Sequence, residues 1–123
     1  TKQTVNLISK KELSLLGENG LLVHVGRGEV VNQEDLYYAL KNNTINKAAI
    51  DVWYNYSPDP DLKERLYPYK FPFHKLKNIL MSPHRAASPF DDLQRWDDVI
   101  YNIREQVTGN KEFVNVVDLD IGY

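Results

Sequence analysis

The chain has 123 residues, about the size of one domain, and its 42% hydrophobic and 26% charged content is ordinary for a globular fold. A net charge of -2 gives no electrostatic reason to expect nucleic acid, and the absence of cysteine excludes disulfides and thiolate metal sites. No apolar run approaches the roughly 18 residues that span a bilayer and no signal peptide precedes the first element, so a soluble, cytoplasmic protein without membrane, nucleic-acid or metal partners is expected.

In chain order, Ser9-Lys10-Lys11-Glu12 is a capping-box pattern, and Leu13, Leu15 and Leu16 follow before Gly17 ends the helix. Gly20 releases the chain into Leu21-Leu22-Val23-His24-Val25, a run too short for a helix that reads as a buried strand. It stops at Gly26-Arg27-Gly28. Asn32 is a candidate N-cap with Asp35 three residues on. Leu36, Ala39 and Leu40 give the next helix its apolar face, and Asn42-Asn43 end it.

A second short strand is predicted from Lys47 to Val52. A long irregular stretch follows, about Trp53 to Lys77, holding Pro58, Pro60, Pro68 and Pro72. Structureless segments of that length are usually functional or mobile. A third strand, Asn78 to Ser82, ends at Pro83-His84. Ser88-Pro89 offers an N-cap with proline at the first helical position. Leu93, Trp96, Val99, Ile100, Ile103 and Val107 then carry a helical stripe to Gly109, and Phe113 to Leu119 is predicted as an edge strand. The alternation of strands and helices predicts an α/β fold with a parallel sheet.

Ligands of open α/β sheets bind outside the carboxyl ends of the strands. Here the three strands end in Gly26-Arg27-Gly28, in Asp51 and in His84. Singly, each has an ordinary reading: a turn arginine, a capping aspartate, a structural histidine. Converging at one sheet edge, they make a binding crevice. His24 is read as structural and His74 as a loop residue packed beside aromatics. Tyr54, Tyr56, Tyr67 and Tyr69 either line a substrate pocket or pin the long loop to the sheet.

The local sequence of these ends resembles the D-2-hydroxyacid dehydrogenases over nearly the whole chain. Gly20-Leu21-Leu22-Val23-His24-Val25-Gly26-Arg27-Gly28-Glu29-Val30-Val31 is similar to the family's strand delivering Arg-Gly. Ala48-Ala49-Ile50-Asp51-Val52-Trp53 is similar to its next strand, and Asn78-Ile79-Leu80-Met81-Ser82-Pro83-His84-Arg85-Ala86 to its third, ending in Ser/Thr-Pro-His. Thr1-Lys2-Gln3-Thr4 resembles the loop before the first of them.

The resemblance implies an NAD(P)-dependent oxidoreductase, using NAD or NADP to interconvert a D-2-hydroxyacid and a 2-oxoacid. It implies Arg27 as the partner of the substrate carboxylate and His84 as the acid–base group. Asp51 would contact the nicotinamide end of the cofactor, with Thr4, Gly26, Arg27, His84 and Ala86 beside it. One position departs from the pattern: the family places a Glu five residues after the Asp, and here Tyr56 stands there. Asp59, Asp61 and Glu64 follow in the same loop and could fold back to replace it. A carboxylate partner raises a histidine's pKa, so reduction is expected to weaken at lower pH here than in relatives that keep the acid.

The Gly-rich turn that holds a dinucleotide pyrophosphate is not in this sequence. The resemblance therefore implies the later half of a doubly wound, Rossmann-type parallel sheet, and a fragment of a longer enzyme that is inactive when isolated. Residues 1–110 would belong to the cofactor domain, and 111–123 would return toward the substrate domain. A homodimer through the cofactor domain, and the N-terminal part of its own chain, are the implied protein partners. The second reading is a corepressor-like regulator that binds the dinucleotide without efficient catalysis. A third is an interaction domain with only a chance likeness.

Overall fold

The structure is a computed structural model that describes residues 2–61, 65–86, 95–118 and 120. They fall into two compact units, Lys2–Ala87 and Ser88–Tyr123.

The first unit is built on a parallel sheet of β1 (Leu21–His24), β2 (Lys47–Ile50) and β3 (Ile79–Met81), in that order. Its register aligns Val23, Ala49 and Leu80 in one row. Before β1, helix α1 (Lys10–Leu16) starts where Ser9 and Glu12 close the expected box, with the Ser9 N–H and Oγ both donating to Glu12 Oε2 at 3.1 and 2.8 Å. Helix α2 (Gln33–Lys41) connects β1 to β2, and its first turn is capped by Asn32 Oδ1, which accepts from the Asp35 N–H at 3.0 Å. Asn43, in the left-handed region at φ 54°, turns the chain out of α2.

One face of the sheet is packed. Ala48 and Ile50 meet Leu36, Leu40 and Ile45 from the α2 segment, Leu13 from α1, Val31, and Phe73 from a 3₁₀ turn at Phe73–Lys75. The long stretch after β2 contains no other helix or strand among its described residues. Aromatic rings hold it down instead. Tyr69 lies 5.1 Å from Trp53 and 5.6 Å from Phe73 between ring centroids, and Phe71 stacks on Tyr37 at 5.4 Å.

The reading of β1 as a strand buried on both faces is corrected. Leu21, Val23 and Val25 are exposed while His24 is buried, so the strand alternates. Its apolar outer positions look like a core run in sequence, but the helices of this unit cover only the other face.

In the second unit, α3 (Arg95–Thr108) carries the predicted stripe, with Trp96, Val99, Ile100, Ile103 and Val107 exposed. The expected cap at Ser88-Pro89, and Leu93, lie outside the described residues. The predicted edge strand at Phe113 to Leu119 is not formed over 113–118, and Leu119 lies outside the described residues. Left-handed backbone at Lys111 and Asn115 (φ 59° and 56°) breaks the extension. The segment is pinned by a side chain: Asn102 Nδ2 donates to the Val114 carbonyl at 3.0 Å, and its Oδ1 accepts from the Val114 N–H at 2.9 Å.

Candidate active site

Because the three strands run parallel, their carboxyl ends lie at one edge of the sheet, and the three predicted groups follow these ends. The Asp51 N–H donates to the His24 carbonyl at 3.0 Å, and the Ser82 N–H to the Ile50 carbonyl at 2.9 Å, so the strand pairing runs up to the site.

Arg27 leaves β1 in extended backbone and is exposed, with Nη1 donating to the Gly26 carbonyl at 3.1 Å. The loop bearing it is fixed from two sides. His24, 7% exposed, lies inside β1, and its Nε2 donates to the Arg27 carbonyl at 2.9 Å. Gly28 lies so close to the next strand's exit that a Cβ there would sit 2.3 Å from the Trp53 carbonyl oxygen, so only glycine fits. At Gly26 a Cβ would meet nothing nearer than His24 Cε1 at 3.7 Å, an ordinary contact. Thr4 is half-buried in the turn before α1, whose Asn6 N–H donates to the Glu29 carbonyl in the Arg27 loop at 2.7 Å.

Burial pushes the His24 imidazole below its ordinary pKa, and the Arg27 and Gly28 carbonyls oppose this only in part. The folded chain therefore favours neutral His24. Its contribution to stability is complete above the unfolded value of 6.5 and is lost as pH falls from there through the lower folded value. Thermal melts from pH 8 to pH 5 are expected to show a fall in stability that His24→Gln reduces. An equal slope in both proteins would contradict this structural role.

Asp51 is the hub of the edge. It is 4% exposed, and its carboxylate accepts three hydrogen bonds from the turn after β3. Oδ1 takes the Ser82 hydroxyl at 2.5 Å and the Arg85 N–H at 2.7 Å, and Oδ2 takes the Ala86 N–H at 2.9 Å. Burial raises the carboxyl's pKa, but these three donors and the nearby His84 outweigh it and hold the group below the usual carboxylate range. The Trp53 indole adds a fourth tie, donating Nε1–H to the Ser82 carbonyl at 2.9 Å.

Between these ties stands His84, exposed and in the left-handed region at φ 60°. Such backbone costs energy in a non-glycine residue and persists only where its surroundings enforce it. Here the enforcing group is the Asp51 carboxylate, which grips Ser82 on one side of His84 and Arg85 and Ala86 on the other. The face of His84 is met by Tyr56, whose ring lies 5.3 Å away at 28°. Tyr56 is itself 58% exposed, and its hydroxyl oxygen accepts from the Trp53 N–H at 3.0 Å.

Beside the carboxylate a cleft of about 150 Å³ opens on the uncovered side of the sheet, lined by Val23, Val25, Ala49, Leu80 and Ala86. Apolar walls with one buried carboxylate at the rim suit a flat ring bearing a polar substituent. An ionised carboxylate offers about four acceptor sites. Three of those on Asp51 are taken by the turn after β3, which leaves about one acceptor site beside the cleft.

The structure thus places Arg27, Asp51 and His84 at the same edge, with Gly26 and Ala86 adjoining them and Thr4 in the turn bonded to the Arg27 loop. The roles of Ser82 and Trp53 as supports of the His84 turn were not read from the sequence. The only signal for them was their place inside the matching motifs. Of the four tyrosines, Tyr69 and Tyr67 pack into the loop. Tyr67 stacks on His74 at 4.5 Å, which bears out the reading of His74. Of the acids that could have replaced the missing Glu, Asp61 is held by Arg65 at 2.6 Å, Asp59 is exposed, and Glu64 lies outside the described residues.

Residues 1–86 match the family described as D-isomer specific 2-hydroxyacid dehydrogenase, NAD binding domain. The chain is 37% identical over 88 residues to the glyoxylate reductase of Thermococcus litoralis, covering 72% of this chain and 24% of that protein. It is 34% identical over 90 residues to the glyoxylate reductase of Thermococcus gammatolerans, covering 73% of this chain and 24% of that protein. Among solved structures it resembles a D-isomer specific 2-hydroxyacid dehydrogenase from Xanthobacter autotrophicus, solved with NADPH and MES. There the TM-score is 0.74 at 28% identity, over 100% of this chain and 46% of the other. The chain spans about a quarter of the length of the curated relatives it matches.

Proposed function

Since the chain belongs to the D-isomer specific 2-hydroxyacid dehydrogenase family, through that family's NAD-binding domain, we propose that its protein interconverts a D-2-hydroxyacid and a 2-oxoacid. The observation that carries the reading is the convergence of Arg27, Asp51 and His84 at one sheet edge, with His84 on a turn built to present it.

When bound, NADH or NADPH supplies the hydride that reduces the carbonyl carbon of the oxoacid. Arg27 holds the substrate carboxylate, for which the two parallel N–H donors of a guanidinium are the matching shape. His84 gives a proton to the carbonyl oxygen during reduction and takes it back during oxidation. Asp51 keeps the His84 turn in place and offers its free acceptor position toward the nicotinamide end. Gly26 and Ala86 keep the approach open, since neither carries a side chain longer than a methyl group, and Thr4 flanks the Arg27 loop. A homodimer, completed by the N-terminal part of the same chain, belongs to this proposal, as does a cytoplasmic location. No helix among the described residues is long and apolar enough to cross a membrane.

Tyr56 at the position of the family Glu favours the second reading, a dinucleotide-binding regulator without efficient turnover. One assay separates the two: the full-length protein is given NADH or NADPH with glyoxylate, hydroxypyruvate, pyruvate and longer 2-oxoacids. Oxidation that depends on the oxoacid is the expected result. Cofactor binding without oxidation in the presence of any of them would instead support the regulator.

A further inference from the structure

We propose that Tyr56 is a positioning residue for His84: its ring, stacked on the imidazole, orients the acid–base group where the family pattern has a carboxylate. The inference rests on the dehydrogenase reading above.

Three observations carry it. The two rings lie 5.3 Å apart at 28°, within the range of offset stacking. The Tyr56 ring is fixed in turn, because its hydroxyl oxygen accepts the Trp53 N–H at 3.0 Å. That tie joins it to the same β2 exit that carries Asp51. Third, the Asp51 carboxylate holds the Ser82 hydroxyl before His84 and the Arg85 and Ala86 N–H groups after it, and leaves the ring's rotation to other contacts. An exposed imidazole rotates about two side-chain bonds, and a proton donor must lie within hydrogen-bond reach of its target. A stacked aromatic ring narrows that rotation.

The exchange has a chemical consequence. A glutamate would orient the imidazole through a hydrogen bond and also favour its protonated form. A phenol ring orients it without adding a charge. Among the described residues the Asp51 carboxylate interacts with His84, and it is tied into the turn by the Arg85 N–H, while Arg27 lies at the same sheet edge.

The test uses the full-length protein and its Tyr56→Phe, Tyr56→Ala and Tyr56→Glu variants, with kcat and KM measured across pH and the histidine ring resonances read by NMR. Tyr56→Phe keeps the stacking ring but loses its tie to the Trp53 N–H, so its kcat is expected to fall between the parent and Tyr56→Ala, within about threefold of the parent. Tyr56→Ala is expected to lower kcat about tenfold or more with the oxoacid KM little changed, because the proton donor is misplaced while the carboxylate partner is untouched. Tyr56→Glu is expected to move the basic limb of the kcat profile upward by about one pH unit. In the NMR spectra the His84 ring signals carry a ring-current displacement that Tyr56→Phe retains and Tyr56→Ala loses.

An active parent with kcat and pH profile unchanged in Tyr56→Ala overturns the inference while sparing the dehydrogenase. So does a ring-current displacement that survives Tyr56→Ala. A parent that turns over no 2-oxoacid overturns the dehydrogenase reading and the role that rests on it, and the NMR comparison then still reports whether the stack exists.

Discussion

Replacing His84 by Ala is expected to lower kcat for 2-oxoacid reduction about 10²–10⁴-fold, the span that a lost general acid–base group accounts for. The basis is positional. In the proposed reaction His84 carries the proton, and it stands on a turn whose left-handed backbone is held by three hydrogen bonds to one buried carboxylate. A fold does not need that arrangement for packing, because the imidazole is exposed. The loss should therefore appear in kcat while the protein melts at nearly the parent temperature. Cofactor affinity, followed by the fluorescence of NADH or NADPH, is expected to stay close to the parent's. A fall in kcat smaller than about tenfold would mean that another group supplies the proton.

Asp51→Asn is the second large effect, and it acts through His84. The amide has the carboxylate's shape but only one acceptor oxygen. Its NH₂ must then face either the Ala86 N–H or the Ser82 and Arg85 donors, so at least one donor meets a donor. With the turn no longer gripped on both sides, the left-handed backbone at His84 loses what enforces it. Kcat is expected to fall about 100-fold or more, since small displacements of a reacting group cost that much. The pH dependence of stability supplies a separate readout. The Asp51 carboxyl titrates below its ordinary value of 3.8 in the folded chain. Its stabilising contribution is therefore complete above that value and is lost as pH falls through the lower folded one. Acid melts of Asp51→Asn should show a shallower decline below pH 4 than the parent. Parent-like kcat in Asp51→Asn would remove Asp51 from the account.

The convergence of Arg27, Asp51 and His84 at one sheet edge was legible in the sequence because each strand announces its end. Gly26-Arg27-Gly28, Asp51 and Pro83-His84 each interrupt a short apolar run, and a parallel sheet brings such ends together. The N-cap at Asn32 and the box at Ser9 and Glu12 were legible for a similar reason, since capping is local chemistry between residues three apart. What could not be read is whatever depends on the far side of a contact. The apolar run of β1 looks the same whether one face is covered or two. The segment after Gly109 has an apolar pattern that suits a strand, but Asn102, more than ten residues away, takes its backbone partners. Asp51 was read as a ligand contact, and its three bonds to the β3 exit follow only from the register that sets β2 beside β3. The stack of Tyr56 on His84 is likewise a tertiary contact, whereas the resemblance had marked that position as a missing acid and the ring itself only as a pocket or loop-pinning residue.

Oxoacid-dependent NADH and NADPH oxidation by the full-length protein beside Arg27→Ala tests whether the substrate is held at this edge of the sheet. Turnover is expected in the parent. In Arg27→Ala a higher KM for the oxoacid together with a lower kcat is expected, because the carboxylate is held both before and during hydride transfer. Parent-like kcat and KM in Arg27→Ala would contradict the placement of the substrate at this edge of the sheet.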